Sequence, residues 1–258
     1  HSLRSSDVPF STLGLQAGKS TGQELSRATA AIGVVSAVDQ TNSRIELRRR
    51  NRLSGSQVPG ETFVPDRDGI LALEAVPTGC RRQILDFLMP GDTFPASVGV
   101  TVPGFCLRAL TKATLDKSPF AAANEASARC LEPAGMLRML SSLMVRHNLH
   151  QIMIGQLDSV SRVSSFLLML ALRCYPALGS NLLLPLPMSR DDIADYLAMN
   201  SDTLSRIMMR LESLRIIRRL NRHEVNLIDP QRLGQLSPIR SLLFTALGSA
   251  GLNDMLTN

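Results

Sequence analysis

Histidine is scarce in this chain of 258 residues: His1, His147, His150 and His223 make up the whole set, and the stretch from 2 to 146 holds none. Cysteine is as sparse. Cys80, Cys106, Cys130 and Cys174 show no paired spacing, which points to free thiols in a reducing compartment, the cytoplasm, and against a disulfide framework. No cysteine lies among residues 1–79, so the chain itself supplies no N-terminal cysteine cluster for an iron–sulfur centre. Apolar residues are 44% of the sequence, yet they never run to the ~18 in succession that a membrane-spanning helix needs. The run Ala28–Val38 has the length of a leader-peptide core but lies too far in and precedes strand-like sequence, so it reads as folded structure. Lysine is confined to Lys19, Lys112 and Lys117, so arginine supplies nearly all of the positive charge. The formal net charge of +6 is compatible with a nucleic-acid partner without requiring one, and arginine suits base and phosphate recognition better than lysine does.

What is present divides the chain. Residues 1–40, rich in Ser, Gly and Ala, form an N-terminal extension. From about 41 to 120, short alternating apolar runs broken by Gly and Pro predict a β-sandwich or jelly roll. The clearest strands are RIELRRRNRL, GILALEAV and RRQILDFLM, with turns at Pro65, Pro77, Pro90-Gly91 and Pro103-Gly104. A metal-dependent jelly-roll enzyme would need ligands there, and this region has no histidine. From about 134 the texture turns helical. Met136, Leu140, Leu143, Ile154 and Leu157 recur three and four apart, with His147 and His150 in the middle positions of the same seam. A helix over 135–157 spans ~34 Å, more than one small core buries, so it predicts a dimerisation helix paired with a second copy. His147 and His150 then meet their symmetry mates, either as neutral polar residues that set register or as a pH- or metal-sensitive patch; the first reading is favoured. A second helix, SVSRVSSFLLMLALRCY, follows Asp158.

The most informative stretch is MSRDDIADYLAMNSDTLSRIMMRLESLRII, residues 188–217. Ser189 is placed to cap a short helix, with Asp192 completing a capping box, and Asn200 to cap a second. In that second helix Leu204, Ile207, Met208, Leu211 and Leu214 share a packing face. Ser201, Asp202, Ser205, Arg206 and Arg210 share the opposite one. Two short helices joined by a three-residue turn have helix-turn-helix dimensions, and polar residues cluster at the end such helices push into the major groove. IIRRLNRHEVNLID then reads as a two-stranded hairpin, a wing, with Arg218, Arg219 and Arg222 near its tip.

These residues resemble the DNA-binding signature of the CRP/FNR family of bacterial transcription regulators, in its FNR- and FixK-like branches. The family pattern is matched at Ser189, Arg190, Asp192, Ile193, Ala194, Tyr196, Leu197, Thr203, Ser205, Arg206, Leu211, Ile216 and Ile217. It is broken at Ala198, where the family usually has Gly, and at Asp202, where it has Glu. GCRRQILDFLMPGDTF, interrupted by Cys80, is similar to a segment of the family's sensory β-roll. The resemblance implies an α+β chain with a cyclic-nucleotide-binding-type β-roll at 41–134, a dimerisation helix at 135–157 and a winged helix-turn-helix at 158–258. It further implies a regulator, not an enzyme, that binds a palindromic operator with TTGA-like half-sites as a homodimer and works with RNA polymerase. Base contacts would come from Ser201, Asp202, Ser205 and Arg206, and phosphate contacts from Arg190, Arg218 and Arg222. The cassette that holds a cyclic nucleotide, Gly-Glu followed by Arg-Ser or Arg-Thr after the Pro-Gly-Asp turn, is missing from TFPASVGVTVPGFCLRALTKATL, so no cofactor is assigned. Cys80, beside Arg81 and Arg82, is the candidate redox residue, because neighbouring cations favour thiolate. The competing reading is a β-roll protein that binds a small ligand and acts through protein contacts instead of DNA.

Overall fold

The computed structural model describes residues 44–54, 61–65, 68–76, 81–95, 104–119, 133–175 and 177–248. The N-terminal extension, Cys80, Cys130 and the Pro77 turn lie outside them.

Antiparallel strands build two facing sheets. One has the order β1 (Arg44–Leu47), β8 (Ala113–Pro119), β3 (Glu61–Pro65), β6 (Phe94–Pro95); the other has β2 (Arg52–Ser54), β7 (Phe105–Ala109), β4 (Leu71–Ala75), β5 (Gln83–Leu88). Alternation in RIEL turns Ile45 and Leu47 inward, where they meet Leu53, Leu71, Leu107 and Leu115 between the sheets. The run RIELRRRNRL is two strands instead of the single one expected. Its arginines offer nothing to the core, and the chain reverses at Arg48–Asn51, with the Asn51 amide donating to the Arg48 carbonyl at 3.0 Å. Pro65, expected in a turn, ends β3 opposite Leu115. β4 has no polar face because both of its sides are covered. Leu71 and Leu73 face the sandwich, while Ala72 joins Ile84 and Phe87 in a second core shared with the helices. Glu74 breaks that apolar run and is fully buried.

The second core surrounds α2 (Ser159–Cys174), whose residues 163–172 are all buried. Asp158 caps it by accepting from the Ser161 amide at 2.9 Å. Packed around α2 are α1 (Pro133–Gln156), α3 (Arg190–Tyr196), α4 (Ser201–Ser213), α5 (Pro230–Gln235) and α6 (Arg240–Leu247). The wing has three strands where two were expected, in the order β10 (Ile217–Asn221), β11 (Glu224–Leu227), β9 (Leu182–Pro185). Pro185 sits at the end of β9 opposite Glu224, where its missing amide hydrogen disturbs least, so NLLLPLP can pair despite its prolines.

The roll and the helix-turn-helix are fastened to each other. Tyr196, at the end of α3, is fully buried among Phe87, Phe166 and His150, with ring centroids 5.1, 5.6 and 4.1 Å away. Beside this aromatic cluster lies a charged one. Glu74 is met by Arg52 at 2.7 Å, Arg108 at 2.9 Å and Arg82 at 3.6 Å. Arg108 reaches on to Asp192 of α3 at 2.6 Å, and Arg82 to Asp192 at 3.0 Å and Asp195 at 2.6 Å. Gln83 adds a hydrogen bond to the Asp195 carbonyl at 2.7 Å. Burial pushes the Asp192 carboxyl up, but Arg108, the Ser189 bonds and Arg82 together hold it below the usual carboxylate range.

Candidate nucleic-acid interface

The local chemistry expected of the two helices is in place. Ser189 accepts from the Asp192 amide at 3.1 Å and Asp192 accepts from the Ser189 amide at 3.0 Å, so the capping box is closed on both sides. Asn200 caps α4 through the Asp202 amide at 2.8 Å. Leu204, Ile207 and Leu211 are buried, with Met208 and Leu214 packed partly against the same core. The turn is held from beneath by Arg162, which donates to the Leu197 and Ala198 carbonyls at 3.1 and 3.3 Å.

The outward face is less uniform than its sequence. Asp202 and Arg206 are exposed; among the described residues neither has a side-chain partner, so Asp202 does not brace the Arg206 guanidinium one turn away. Ser201 is half-buried. The Ser205 hydroxyl is committed, donating to the Ser201 carbonyl at 2.8 Å and accepting from Arg190 at 3.3 Å. Arg190 is thereby tied to the flank of α4. On the wing, Arg218 and Arg222 are exposed. Arg219 is not free for a partner. Its amide and guanidinium bond Glu212 at 3.1 and 2.9 Å, which pins the wing to the C-terminal turn of α4 and lowers the Glu212 carboxyl.

α1 is rotated from the expected seam. His150 is 3% exposed; its ring stacks on Tyr196 and its Nε2–H donates to the Tyr196 carbonyl at 2.6 Å. Burial lowers its pKa, which favours the neutral ring. Leu157 is buried in the second core, Leu143 packs against the sandwich, and Ile154 is half-buried. His150, Leu157 and Leu143 therefore serve the protomer. Leu140 and His147 are exposed, as expected of a seam, but their exposed neighbours are Leu137 at 66% and Met144 at 65%. The Met136 side chain lies outside the described residues. The error has a geometric cause. Over several turns, residues three and four apart lie near one face, and the sequence holds two such sets offset by one position. The apolar set containing Leu143 and Leu157 is the one the protomer itself covers.

Residues 161–236 match the model of the Crp-like helix-turn-helix domain. The nitrogen fixation regulation protein FixK of Bradyrhizobium diazoefficiens is 30% identical to this chain over 225 residues, covering 78% of this chain and 90% of that protein. The chain belongs to the CRP/FNR family. Its place is in the FixK-like branch: FixK of Rhizobium meliloti is 32% identical over 156 residues, 60% of this chain and 69% of that protein. Among solved structures, FixK2 from Bradyrhizobium japonicum superposes with a TM-score of 0.62 at 23% identity, covering 75% of this chain and 96% of that one. A CooA mutant from Carboxydothermus hydrogenoformans does so with 0.59 at 18%, covering 74% and 86%. These two share the fold. The protein is a transcription regulator with a helix-turn-helix DNA-binding domain, not an enzyme.

Two features of this CRP/FNR protein had no sequence signal of their own. Glu74 reads as one charge in an apolar strand, and only the packing shows three arginines converging on it. Cys106 donates its thiol hydrogen to Glu74 at 3.4 Å. Burial and the Glu74 carboxylate push that thiol up to about 12, so it stays protonated. Among the described residues no group of His, Cys, Asp and Glu is arranged to hold a metal, and no helix is long and apolar enough to cross a membrane.

Proposed function

We propose that this regulator binds, as a homodimer, an inverted repeat with TTGA-like half-sites. α4 enters the major groove, where Arg206 donates to guanine O6 and N7 and Asp202 accepts from cytosine N4. The observation that carries this reading is that Asp202 and Arg206 stand exposed and without side-chain partners on the first turns of α4, next to a wing that offers Arg218 and Arg222. Asp202 is a methylene shorter than the family's Glu, so discrimination rests foremost on Arg206. Ser201 adds a short polar reach, and Ser205 contributes by steering Arg190 toward the backbone. Arg190, Arg218 and Arg222 position the domain on phosphates without reading sequence. A palindrome requires two recognition helices ~34 Å apart, which a two-fold dimer supplies. The seam that would form it runs through Leu137, Leu140, Met144 and His147 on the open face of α1. The partners called for are the palindromic duplex, a second copy of the chain and, at a promoter, RNA polymerase.

The test is fluorescence anisotropy with a TTGA inverted repeat and a scrambled duplex across a salt series. The wild type should prefer the repeat. Arg206→Ala should lose the preference at the half-site guanine, a bidentate contact worth about 1–3 kcal/mol. Arg218→Ala and Arg222→Ala should weaken both duplexes alike, each lowering the slope of log K against log salt by about one. Equal affinity of the wild type for both duplexes would sink the reading.

A further inference from the structure

The turn between β1 and β2 carries Arg48, Arg49 and Arg50 in succession, all exposed. Arginine is costly to display in a row, because like charges repel and each guanidinium asks for an acceptor. Elsewhere in the roll that demand is met: Arg52, Arg82 and Arg108 share Glu74, Asp192 and Asp195. Among the described residues no side-chain partner attaches to Arg48, Arg49 or Arg50. The turn is nonetheless firmly built. The Arg50 amide donates to the Ala109 carbonyl at 2.7 Å, and the Ala109 amide donates to the Asn51 carbonyl at 2.9 Å. Arg50 itself is held at φ 75°, in the left-handed region that a non-glycine residue enters at a cost of ~1 kcal/mol.

The position of the turn decides what it faces. Arg49 and Arg50 line a cavity of 260 Å³ together with Ser189 and Asp191, at the start of α3. One strand over, Arg108 is bonded to Asp192 of the same helix. The turn is therefore fixed beside the end of α3 that carries Arg190, and Arg190 is bonded to Ser205 of α4. The basic turn, the start of α3 and the recognition helix thus lie next to one another along one path. Asp191 is the sole exposed carboxylate on the lining of that cavity, one against the two exposed arginines Arg49 and Arg50. The excess is cationic, and its surroundings continue the surface assigned to DNA.

We propose that Arg48, Arg49 and Arg50 of the sensory roll bind backbone phosphates of duplex DNA flanking the recognised half-site. The duplex leaving α4 would pass the start of α3 and run along this turn. The roll then contributes sequence-independent affinity through counterion release, while α4 keeps the sequence reading. This inference rests on the DNA reading above.

The experiment uses the full chain and two duplexes with the same inverted repeat, one ending at the edges of the repeat and one extended by ~10 base pairs on each side. The wild type should bind the extended duplex about ten-fold or more tightly at low salt, with a steeper salt slope, as expected when several further phosphates are neutralised. R48Q/R49Q/R50Q should reduce affinity for the extended duplex to that for the short one, and leave the short duplex unchanged. R48K/R49K/R50K should restore most of the gain, because a phosphate accepts either cation. Retention of the full flanking gain in the Gln variant overturns the proposal, and so does an equal loss on both duplexes. If instead the wild type fails to distinguish the short repeat from a scrambled duplex, the DNA reading itself has failed and the proposal falls with it. That failure shows on the short duplex, before any flank is added.

Discussion

Ala198 sits at φ 50° in the turn between α3 and α4. A side chain there meets the following carbonyl oxygen, at a cost of about 1–2 kcal/mol that glycine avoids. The turn nevertheless holds, because the Met199 amide donates to the Ala194 carbonyl at 3.0 Å and Arg162 grips the two carbonyls before it. Ala198 is exposed, so its methyl group adds no packing. Ala198→Gly should therefore raise stability by about 1 kcal/mol, less the larger entropy of glycine in the unfolded chain. A urea midpoint equal to or below that of the wild type would show that the strain is absorbed elsewhere. At this scale sequence was a good guide wherever chemistry is local. The caps at Ser189 and Asn200, and the display of Asp202 and Arg206, depend on neighbours within four residues. The placement of His150 on a dimer seam failed for the opposite reason, and the bonds of Ser205 and Arg219 had no local signal either. The partners Tyr196, Arg190 and Glu212 lie 46, 15 and 7 residues away, and no periodicity announces such contacts.

Elements show the same division. α3 and α4 were legible because capping and a single packing stripe define them, and β4 because it is a short apolar run bounded by turns, whereas β9, which ends on Pro185, carried no strand signal of its own. The clasp between the roll and α3 belongs to this scale, since it joins β2, β4, β5 and β7 to one helix. Glu74 is its hub, fully buried, with three guanidiniums on two oxygens. Breaking a buried pair by removing one partner typically costs about 3–5 kcal/mol, because a buried charge is left uncompensated. Glu74→Ala should fall at the lower end of that range, as Arg82 and Arg108 keep Asp192 and Asp195. Urea denaturation measures this directly, and a change below about 0.5 kcal/mol would mean that the acidic residues of α3 hold the clasp alone. Arg108, the Ser189 bonds and Arg82 hold the Asp192 carboxyl below its ordinary, unfolded range. Its contribution is therefore fully present above the unfolded pKa and is lost as pH falls through the lower, folded one.

At the scale of the whole molecule, the question is how two recognition helices come to face one palindrome. α1 has one face spent on its own protomer: Leu143 on the sandwich, Arg146 on Asp86 at 2.8 Å, Leu149, His150, Met153 and Leu157 on the second core. The face that remains open carries Leu137, Leu140 and Met144, large apolar side chains that a monomer would leave in water. The two faces make opposite predictions for the same chemistry at adjacent positions. Met144→Asp should leave the protomer as stable as before, since its side chain touches no core. In the proposed dimer it would set two carboxylates against each other without a partner, at a cost of several kcal/mol. Light scattering at micromolar concentration should then report a monomer, and affinity for the inverted repeat should fall toward that for a scrambled duplex. Leu143→Asp should instead lower the melting temperature of the protomer, because it brings a charge against the sandwich core. A Met144→Asp protein that remains dimeric and binds the repeat as the wild type does would place the two-fold axis somewhere other than this face of α1.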